Sequence, residues 1–531
     1  MIITRIPWFR LLPLAFFTIL LLTGIGVHTD YGLSFDEEIE RMTGLVTFKY
    51  LLQVFHPDTI ARIPWLQQVP PLETYHDRHY SPLFHLFCIF IKVLFQVKGT
   101  RETYQLTHLV NFLVFFTACI FFYKIVKNRY RQQGIALVGT LCLVLSPRIF
   151  ADAFYNSKDI IFMSAGILTT YSCIQFLRHR NTRYLVLHAL ISGLTIDIRF
   201  MGLLFVAVTI AYLVVDAIVS PGPGAVKRVA LHLLAYTALT IVFTILFWPY
   251  LWDNPVGHFL SIFDKLDRQG LVMLVLYQGQ LIPFNALPWH YVPVWMAITT
   301  PVLYSCLFLA GLFFSGRALM ARNAHLVEAN RLDLLFAILF FTPLLAVIFT
   351  KAILYDGWRH LFFIYPFFLL IAIRGTWELY LVLSASKPGI RQVGRLFFIL
   401  LLTLNFGFIL VKMIRMHPFQ QVYFNALVNK ANMEQKYDLD YWGLSYKQAL
   451  EYLLKTDKSP SIKYYANNLP GKLNKEMMPV ADRSRLQAVP LEEATYFLTE
   501  YRFHPRPYPY RTEVYTIRVD GMKIMSVFKI K

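Results

Sequence analysis

Acidic and basic side chains recur in the segments that separate the long apolar runs of the chain. One such segment, YGLSFDEEIER, spans residues 31–41 and follows the apolar run 8–27. It carries consecutive carboxylates at Asp36, Glu37 and Glu38. Ionisable groups at the edge of a membrane are costly to bury and often functional. These acids are therefore candidates for proton transfer, although a solvated loop would have the same composition.

The composition is that of a membrane protein. Of the 531 residues, 56% are hydrophobic and 16% are charged, whereas charged residues make up about 25% of a typical soluble protein. Several apolar runs of about 20 residues fit transmembrane helices, and the alternating pattern of a membrane barrel is absent. The formal net charge is +19, but most Lys and Arg residues lie in short loops between apolar runs. The charge therefore indicates membrane orientation and contact with membrane lipid, and no nucleic-acid partner is expected.

The distribution of positive charge predicts the topology. Arg5 and Arg10 lie at the N-terminal end of the first apolar run, which places the N-terminus in the cytoplasm. Residues 81–97 are apolar but contain His85 and Lys92. If this segment lies in the outer interface instead of crossing, the later basic loops all fall on the cytoplasmic side. Eleven transmembrane helices are then predicted, at 8–27, 104–125, 134–148, 160–177, 184–197, 200–219, 229–249, 291–315, 332–350, 358–375 and 394–413.

The predicted fold class is a polytopic α-helical membrane protein with a small C-terminal α/β domain. Residues 1–413 form the transmembrane domain, with extracytoplasmic loops at 28–103, which holds interfacial helices, and at 250–290. Residues 414–531 are rich in Lys, Tyr, Asn and Pro, and are predicted to fold on the extracytoplasmic side. Periodicity predicts one helix and two strand-forming segments there, at Leu444–Leu454, Thr495–Tyr501 and Glu513–Lys529.

The topology places further ionisable residues on the same side of the membrane as Asp36. Those at the outer ends of predicted spans include Lys158, Asp159, Arg199, Arg359 and His360. Cations suit a phosphate leaving group, because its negative charge grows as a glycosidic bond breaks. A carboxylate within hydrogen-bond reach, Asp36 or Glu37, could deprotonate an incoming hydroxyl or amine. This pattern indicates transfer of a group from a lipid phosphate, and structural ion pairs are the alternative.

A divalent metal ion is a further expectation. Its candidate ligands are Asp36, Asp159, His76 and His79, since carboxylates and imidazoles are ordinary metal ligands. Their spacing matches no metal motif, so histidines that hydrogen-bond within the loop are the alternative. The five cysteines all lie in apolar segments, so neither a disulfide framework nor a CxxC metal motif is predicted. No nucleotide or redox cofactor is expected.

The motif F-D-E-x-x-E-R after a first span resembles the acidic motif in the first exterior loop of GT-C membrane glycosyltransferases. The resemblance is nearest to glycosyltransferase family 39, which includes protein O-mannosyltransferases and lipid A aminoarabinose transferases, and covers roughly residues 1–415. It implies that Asp36 is catalytic and that Asp159, in FYNSKDIIF, is a second functional carboxylate. It also implies that Arg359 and His360, in YDGWRHLFFIYP, contact the lipid phosphate. The tail segment HPFQQVYFNALV resembles endings of uncharacterised bacterial members.

The resemblance implies an inverting glycosyltransferase of the bacterial inner membrane. It would move a hexose or pentose from a polyprenyl-phosphate donor to a protein, lipid or glycan on the extracytoplasmic side. Asp36 would be the general base, and Asp159 a positioning or metal carboxylate. Arg199 and Arg359 would bind the phosphate.

Two other functions are left open by the residues. A transporter or flippase for a polyprenyl lipid or a solute, with an exterior accessory domain, would place ionisable residues at mid-membrane and show two related halves. In this chain the ionisable residues instead collect at the ends of spans. A scaffold for a cell-envelope complex would need no acid–base cluster.

Overall fold

The computed structural model describes residues 11–219, 225–266, 273–320 and 331–531. Arg5 and Arg10, the beginning of the first predicted span and part of the predicted loop 250–290 lie outside these residues. The α-helices are α1 Leu12–Val27, α2 Glu37–Phe55, α3 Pro57–Ala61, α4 Pro64–Gln67, α5 Leu83–Leu94, α6 Thr100–Tyr130, α7 Gln133–Val144, α8 Pro147–Tyr155, α9 Asp159–His179, α10 Thr182–Ile198, α11 Leu203–Val219, α12 Ala225–Phe247, α13 Pro255–Leu266, α14 Tyr291–Thr299, α15 Val302–Met320, α16 Arg331–Thr350, α17 Tyr365–Ala385, α18 Pro388–Met416, α19 Tyr446–Thr456, α20 Pro470–Leu473 and α21 Val480–Arg483. The strands are β1 Leu274–Tyr277, β2 Gln280–Pro283, β3 Ile462–Ala466, β4 Leu486–Ala488, β5 Tyr496–Thr499, β6 Glu513–Val519 and β7 Met522–Lys529.

The membrane character of the chain is confirmed. Within the described ranges, eight helices are long and apolar enough to cross a bilayer, or nine if α7 and α8, bent by 66°, form one span. The predicted spans 8–27 and 184–197 correspond to helices α1 and α10, which are 16 and 17 residues long. Helix α5 has 12 residues, too few to cross a bilayer, as predicted for the interfacial segment 81–97.

Two predicted spans are not continuous helices. The span predicted at 134–148 is divided between α7 and α8, and the span at 291–315 is divided between α14 and α15. Pro147 and Pro301 lie at the two breaks. Proline has no N–H to donate within a helix, and its ring clashes with the preceding turn. Sequence hydropathy alone does not register this interruption.

Contacts divide the chain into two units. The first unit comprises Met1–Phe35, Asn111–Tyr155 and Val272–Lys531, and the second comprises Asp36–Val110 and Asn156–Leu271. Both units contain helices of membrane-spanning length, and the first also contains the C-terminal tail. The predicted domain boundary between residues 413 and 414 stays a prediction.

Two apolar cores of the second unit lie among its helices. One joins α2 to α5 and includes Val46, Leu66 and Ile89. The other lies among α9 to α12 and includes Phe176 and Tyr236. Polar side chains also bond between these helices, as His188 does to the hydroxyls of Ser172 (2.8 Å) and Thr209 (3.1 Å). Such bonds satisfy polar groups that neither lipid nor apolar side chains can satisfy.

In the first unit, glycines allow two long helices to approach closely. A Cβ atom at Gly311 of α15 would lie 1.9 Å from the carbonyl oxygen of Ile371, and one at Gly375 of α17 would lie 2.1 Å from that of Leu307. Both distances are far below van der Waals contact, so any larger residue would force the helices apart. Small residues at such positions are typical of helix pairs in membranes.

The tail of the first unit contains a mixed five-stranded sheet in the order β4-β3-β5-β7-β6. Strand β3 pairs in parallel with β4 and β5, whereas β7 pairs antiparallel with β5 and β6. Helix α19 is amphipathic, and its buried side chains include Leu450 and Leu453. The predicted small α/β fold of the tail is therefore confirmed. Strands β3 and β4 were not predicted, because they are short and only partly apolar.

A buried carboxyl group lies at the end of strand β5. The Glu500 side chain is 2% exposed, and it accepts hydrogen bonds from Tyr446 Oη and Asn468 Nδ2. Burial raises the pKa of Glu500 from an ordinary value near 4.5 to about 7. The folded state therefore binds the proton more tightly than the unfolded state does.

Glu500→Gln is expected to flatten the pH dependence of stability. Since the folded pKa is raised, the stabilisation from protonated Glu500 is fully present below pH 4.5 and is lost as the pH rises through about 7. Over that range the wild type should lose on the order of 3 kcal/mol that the variant does not lose. Melting temperatures in detergent at pH 5 and 8 measure the difference, with exposed Glu493→Gln as the control. Equal pH slopes in wild type and Glu500→Gln would contradict the assignment.

Candidate active site

The acidic segment forms the beginning of helix α2 in the second unit. Asp36 is the residue before the first helical residue and is half-buried. Glu37, Glu38 and Glu40 lie in the first turn. Carboxylates there face the positive end of the helix dipole, which stabilises their charge. The sequence thus places four carboxyl groups within five residues. Glu37, Glu38 and Glu40 each bond to a different set of side chains.

Glu37 forms a buried pair with a histidine. Its Oε1 atom lies 2.8 Å from Nε2 of His108 on α6. The side chains of Glu37 and His108 are 2% and 0% exposed. Glu37 was predicted as a catalytic residue, and this burial favours a role in anchoring the first turn of α2.

Glu38 and Glu40 have separate sets of partners. Arg41 donates two hydrogen bonds to Glu38, from Nε (3.0 Å) and Nη2 (2.8 Å), and Tyr104 Oη donates a third. Nε2 of His85 on α5 lies 2.9 Å from Glu40 Oε2, and Ser157 Oγ donates to the same oxygen. Burial alone would raise the pKa of Glu40, but the hydrogen bond and charge of His85 and the charge of Lys158 outweigh it, so the pKa is lowered.

The second predicted carboxylate, Asp159, begins helix α9. Its backbone N–H donates to Oδ1 of Asn156 (2.9 Å), and its Oδ2 atom accepts from Asn156 Nδ2 (3.1 Å). Its Oδ1 atom accepts a hydrogen bond from Arg199 Nη1, and the two residues form an ion pair. The carboxylate is therefore held in one orientation by its own turn and by Arg199.

Lys158 is the most accessible cation among the predicted site residues of this unit. Its side chain is 29% exposed, and Nζ lies 3.9 Å from Glu40 Oε1. Nζ also lies 4.2 Å from the centre of the Tyr80 ring. The second unit thus groups the predicted residues Asp36, Glu37, Lys158, Asp159 and Arg199 around the first turns of α2 and α9.

The predicted phosphate ligands Arg359 and His360 belong to the first unit. The guanidinium of Arg359 donates to Asp356 Oδ2 (3.2 Å) and lies 4.6 Å from the ring centre of Trp442 in the tail. Arg502 of the tail donates to the other oxygen of Asp356 (2.6 Å). The ring of His360 lies against Tyr355, with centroids 4.6 Å apart. Arg359 is 3% exposed, so its contact with phosphate stays a prediction.

The predicted metal ligands are not grouped as a metal site requires. The side chain of His76 is 93% exposed and its Nδ1 atom lies 3.0 Å from Asp77. His79 lies against Tyr80, with ring centroids 4.5 Å apart. Across the ranges that the structure describes, no three His, Cys, Asp or Glu side chains are placed to hold a metal ion. The expectation of a divalent metal stays a prediction, and no step is derived from it.

Sequence reasoning did not select several residues of the site, which are Glu40, His85, His108, Ser157 and Arg502. Glu40 had a signal, because a residue three positions after Glu37 lies on the same face of a helix. The histidines are distant in the chain, and each lies alone on an apolar helix. Only the packing of α5 and α6 against α2 reveals their partners.

Comparison with known proteins supports the fold. Residues 82–248 match the family model described as dolichyl-phosphate-mannose-protein mannosyltransferase. The structure is similar to that of ArnT from Cupriavidus metallidurans in the apo state, with 13% sequence identity and a TM-score of 0.51 over 97% of each chain. It is also similar to the same protein bound to undecaprenyl phosphate, with 11% identity and a TM-score of 0.51 over 97% of this chain and 98% of that one. No curated protein sequence matches the chain.

Breaking the buried pair should destabilise the protein. His108→Ala removes the imidazole that pairs with the buried Glu37 carboxylate, at a cost of about 3–5 kcal/mol. Replacing both residues by apolar ones, Glu37→Leu with His108→Leu, should cost less, because no charge is then stranded. Thermal unfolding in detergent measures both, and exposed His76→Ala is the matched control. A melting temperature of His108→Ala equal to that of His76→Ala would exclude a structural role for the pair.

Proposed function

The chain is a membrane protein with the GT-C fold of ArnT, and from this premise we propose that it is an inverting glycosyltransferase. It transfers a hexose or pentose from a polyprenyl-phosphate donor to an acceptor on the extracytoplasmic side of a bacterial inner membrane. The observation that carries the proposal is the cluster of carboxylates and cations at the first turns of α2 and α9. A transporter would place its ionisable residues at mid-membrane and show two related halves, and a scaffold would need no acid–base cluster.

In this proposal Asp36 is the general base. It lies directly before the N-terminus of α2 and is half-buried, and the resemblance of the F-D-E-x-x-E-R motif assigns it the catalytic role. Asp36 accepts the proton of the incoming hydroxyl or amine as the new glycosidic bond forms. A carboxylate positioned in this way contributes roughly 10²–10⁴-fold to the rate.

The leaving group is the polyprenyl phosphate, whose charge must be stabilised as the sugar–phosphate bond breaks. Lys158 is the cation assigned to this role, because its ammonium group is partly exposed and is held near Glu40 and Tyr80. Arg199 is shared with Asp159, so it contributes charge while it orients that carboxylate. The ArnT structure with undecaprenyl phosphate supports a lipid phosphate as the donor class.

Asp36→Asn is expected to lower turnover by at least 100-fold, because the amide cannot accept the acceptor proton. Transfer is measured in membranes supplied with hexosyl and pentosyl undecaprenyl phosphates. Asp58→Asn, at an exposed acid on α3 of the same unit, is the matched control and should retain wild-type turnover. Full activity of Asp36→Asn would show that Asp36 is not the base.

Lys158→Gln is expected to weaken binding of undecaprenyl phosphate about 10-fold or more, since it removes a hydrogen bond between charged groups. Binding to the purified protein in detergent is measured by native mass spectrometry or calorimetry. The control is Lys98→Gln, which removes an exposed lysine of the same unit. Equal affinities in the two variants would remove Lys158 from the phosphate site.

A further inference from the structure

The seven residues before Asp36, 29–35, include several that are bonded to the C-terminal tail. Lys447 of α19 donates from Nζ to the carbonyl oxygens of Thr29 (2.8 Å) and Asp30 (2.9 Å). His417 Nε2 lies 2.8 Å from the carboxylate of Asp30. These contacts join residues that are about four hundred positions apart in the sequence, all within the first unit.

Within this segment, both backbone groups of Leu33 are hydrogen-bonded to the tail. Its backbone N–H donates to Oδ1 of Asn474 (2.8 Å), and its carbonyl oxygen accepts from Nδ2 of the same side chain (3.0 Å). One amide side chain thus satisfies both backbone groups of one residue, as a neighbouring strand would. Asn474 is 0% exposed and also donates to the carbonyl oxygen of Pro470 (2.9 Å), so its orientation is fixed from the tail.

The segment fits the tail too closely to tolerate a side chain at Gly32. A Cβ atom there would lie 2.5 Å from the carbonyl oxygen of Leu444 and 2.7 Å from Oδ1 of Asn474. The first of these neighbours is backbone, so it cannot rotate away. Glycine at position 32 is therefore a condition for the contact between this segment and the tail.

The tail also contacts Phe35, the residue that precedes Asp36. The neighbouring Ser34 is bonded to α8 instead, since its Oγ donates to the carbonyl oxygen of Tyr155 (3.3 Å). The guanidinium of Arg502, in the tail, lies 5.0 Å from the ring centre of Phe35, within the range of a cation–π interaction. The same guanidinium is bonded to Asp356, which limits its motion.

We propose that the tail is a positioning element for the segment that leads to Asp36, with Asn474 as its principal positioning residue. It fixes the backbone of residues 29–35, and the last of these residues is joined to Asp36 by the next peptide bond. The proposal rests on the proposed function, in which Asp36, the residue that follows this segment, is the general base. Acceptor recognition by an accessory domain would not require hydrogen bonds to both backbone groups of Leu33.

Hydrogen–deuterium exchange of the full-length protein directly tests whether the tail restrains residues 29–35. Gly32→Ala and Asn474→Ala should each raise the exchange rate of the peptide covering residues 28–38 at least 10-fold, because the Leu33 amide loses its acceptor or is displaced from it. Strands β5 and β7 should keep wild-type protection. The control is Gly26→Ala on α1, where a Cβ atom meets nothing within 4 Å. Unchanged exchange in 28–38, or loss of protection in β5 and β7 as well, would overturn the proposal.

Kinetics of the same variants test the positioning role. Gly32→Ala should lower kcat at least 10-fold and leave KM for the glycosyl undecaprenyl phosphate within twofold of the wild type, because the lipid is bound elsewhere than by this segment. Full kcat in a variant with raised exchange would refute positioning. If the wild type transfers no sugar, the proposed function fails instead, and the exchange data still decide whether the tail holds the segment.

Discussion

The structure depends on neutralising carboxylates at the edge of an apolar environment. An ionised group without partners is expensive to bury, yet α2 begins with Asp36 and three glutamates in its first turn. Glu37 and Glu40 are paired with histidines of α6 and α5, and Glu38 is paired with Arg41 of α2 itself. The positions of α5, α6 and the 156–159 turn follow from supplying those partners. Breaking one pair leaves a buried charge, so these elements are fixed relative to one another within the second unit.

The same constraint gives the tail its place in the first unit. Asp356 accepts from Arg359 at the start of a membrane span and from Arg502 in the tail. Asn474 then satisfies the backbone of Leu33. Tail residues thus provide hydrogen bonds to the buried carboxylate of Asp356 and to the backbone N–H and carbonyl groups of Leu33. The tail is accordingly part of the support of the transmembrane helices and of the segment that leads to Asp36.

The sequence was sufficient for the class of fold, but not for the pairing of the polar side chains at the candidate site. Apolar runs and basic loops predict the spans, because membrane insertion follows hydropathy and charge. The acids near Asp36 and the carboxylate Asp159 stand out because charge is rare in this chain. His85 and His108 do not stand out in the sequence, because a single histidine on an apolar helix fits several structural roles until its partner is known. The sequence also could not show the contact between Arg359 and Trp442, because Trp442 lies in the tail, more than 80 residues later.

A structure of the protein in a lipid nanodisc with undecaprenyl phosphate tests the central claim most directly. The account predicts phosphate density within about 4 Å of Lys158 Nζ, the distance of an ion pair, and an Asp36 carboxylate on the side of the phosphate at which the sugar of the donor would be attached. Phosphate bound in the second unit without contact to Lys158 or Arg199, or Asp36 directed away from it, would contradict the assignment of this cluster as the active site.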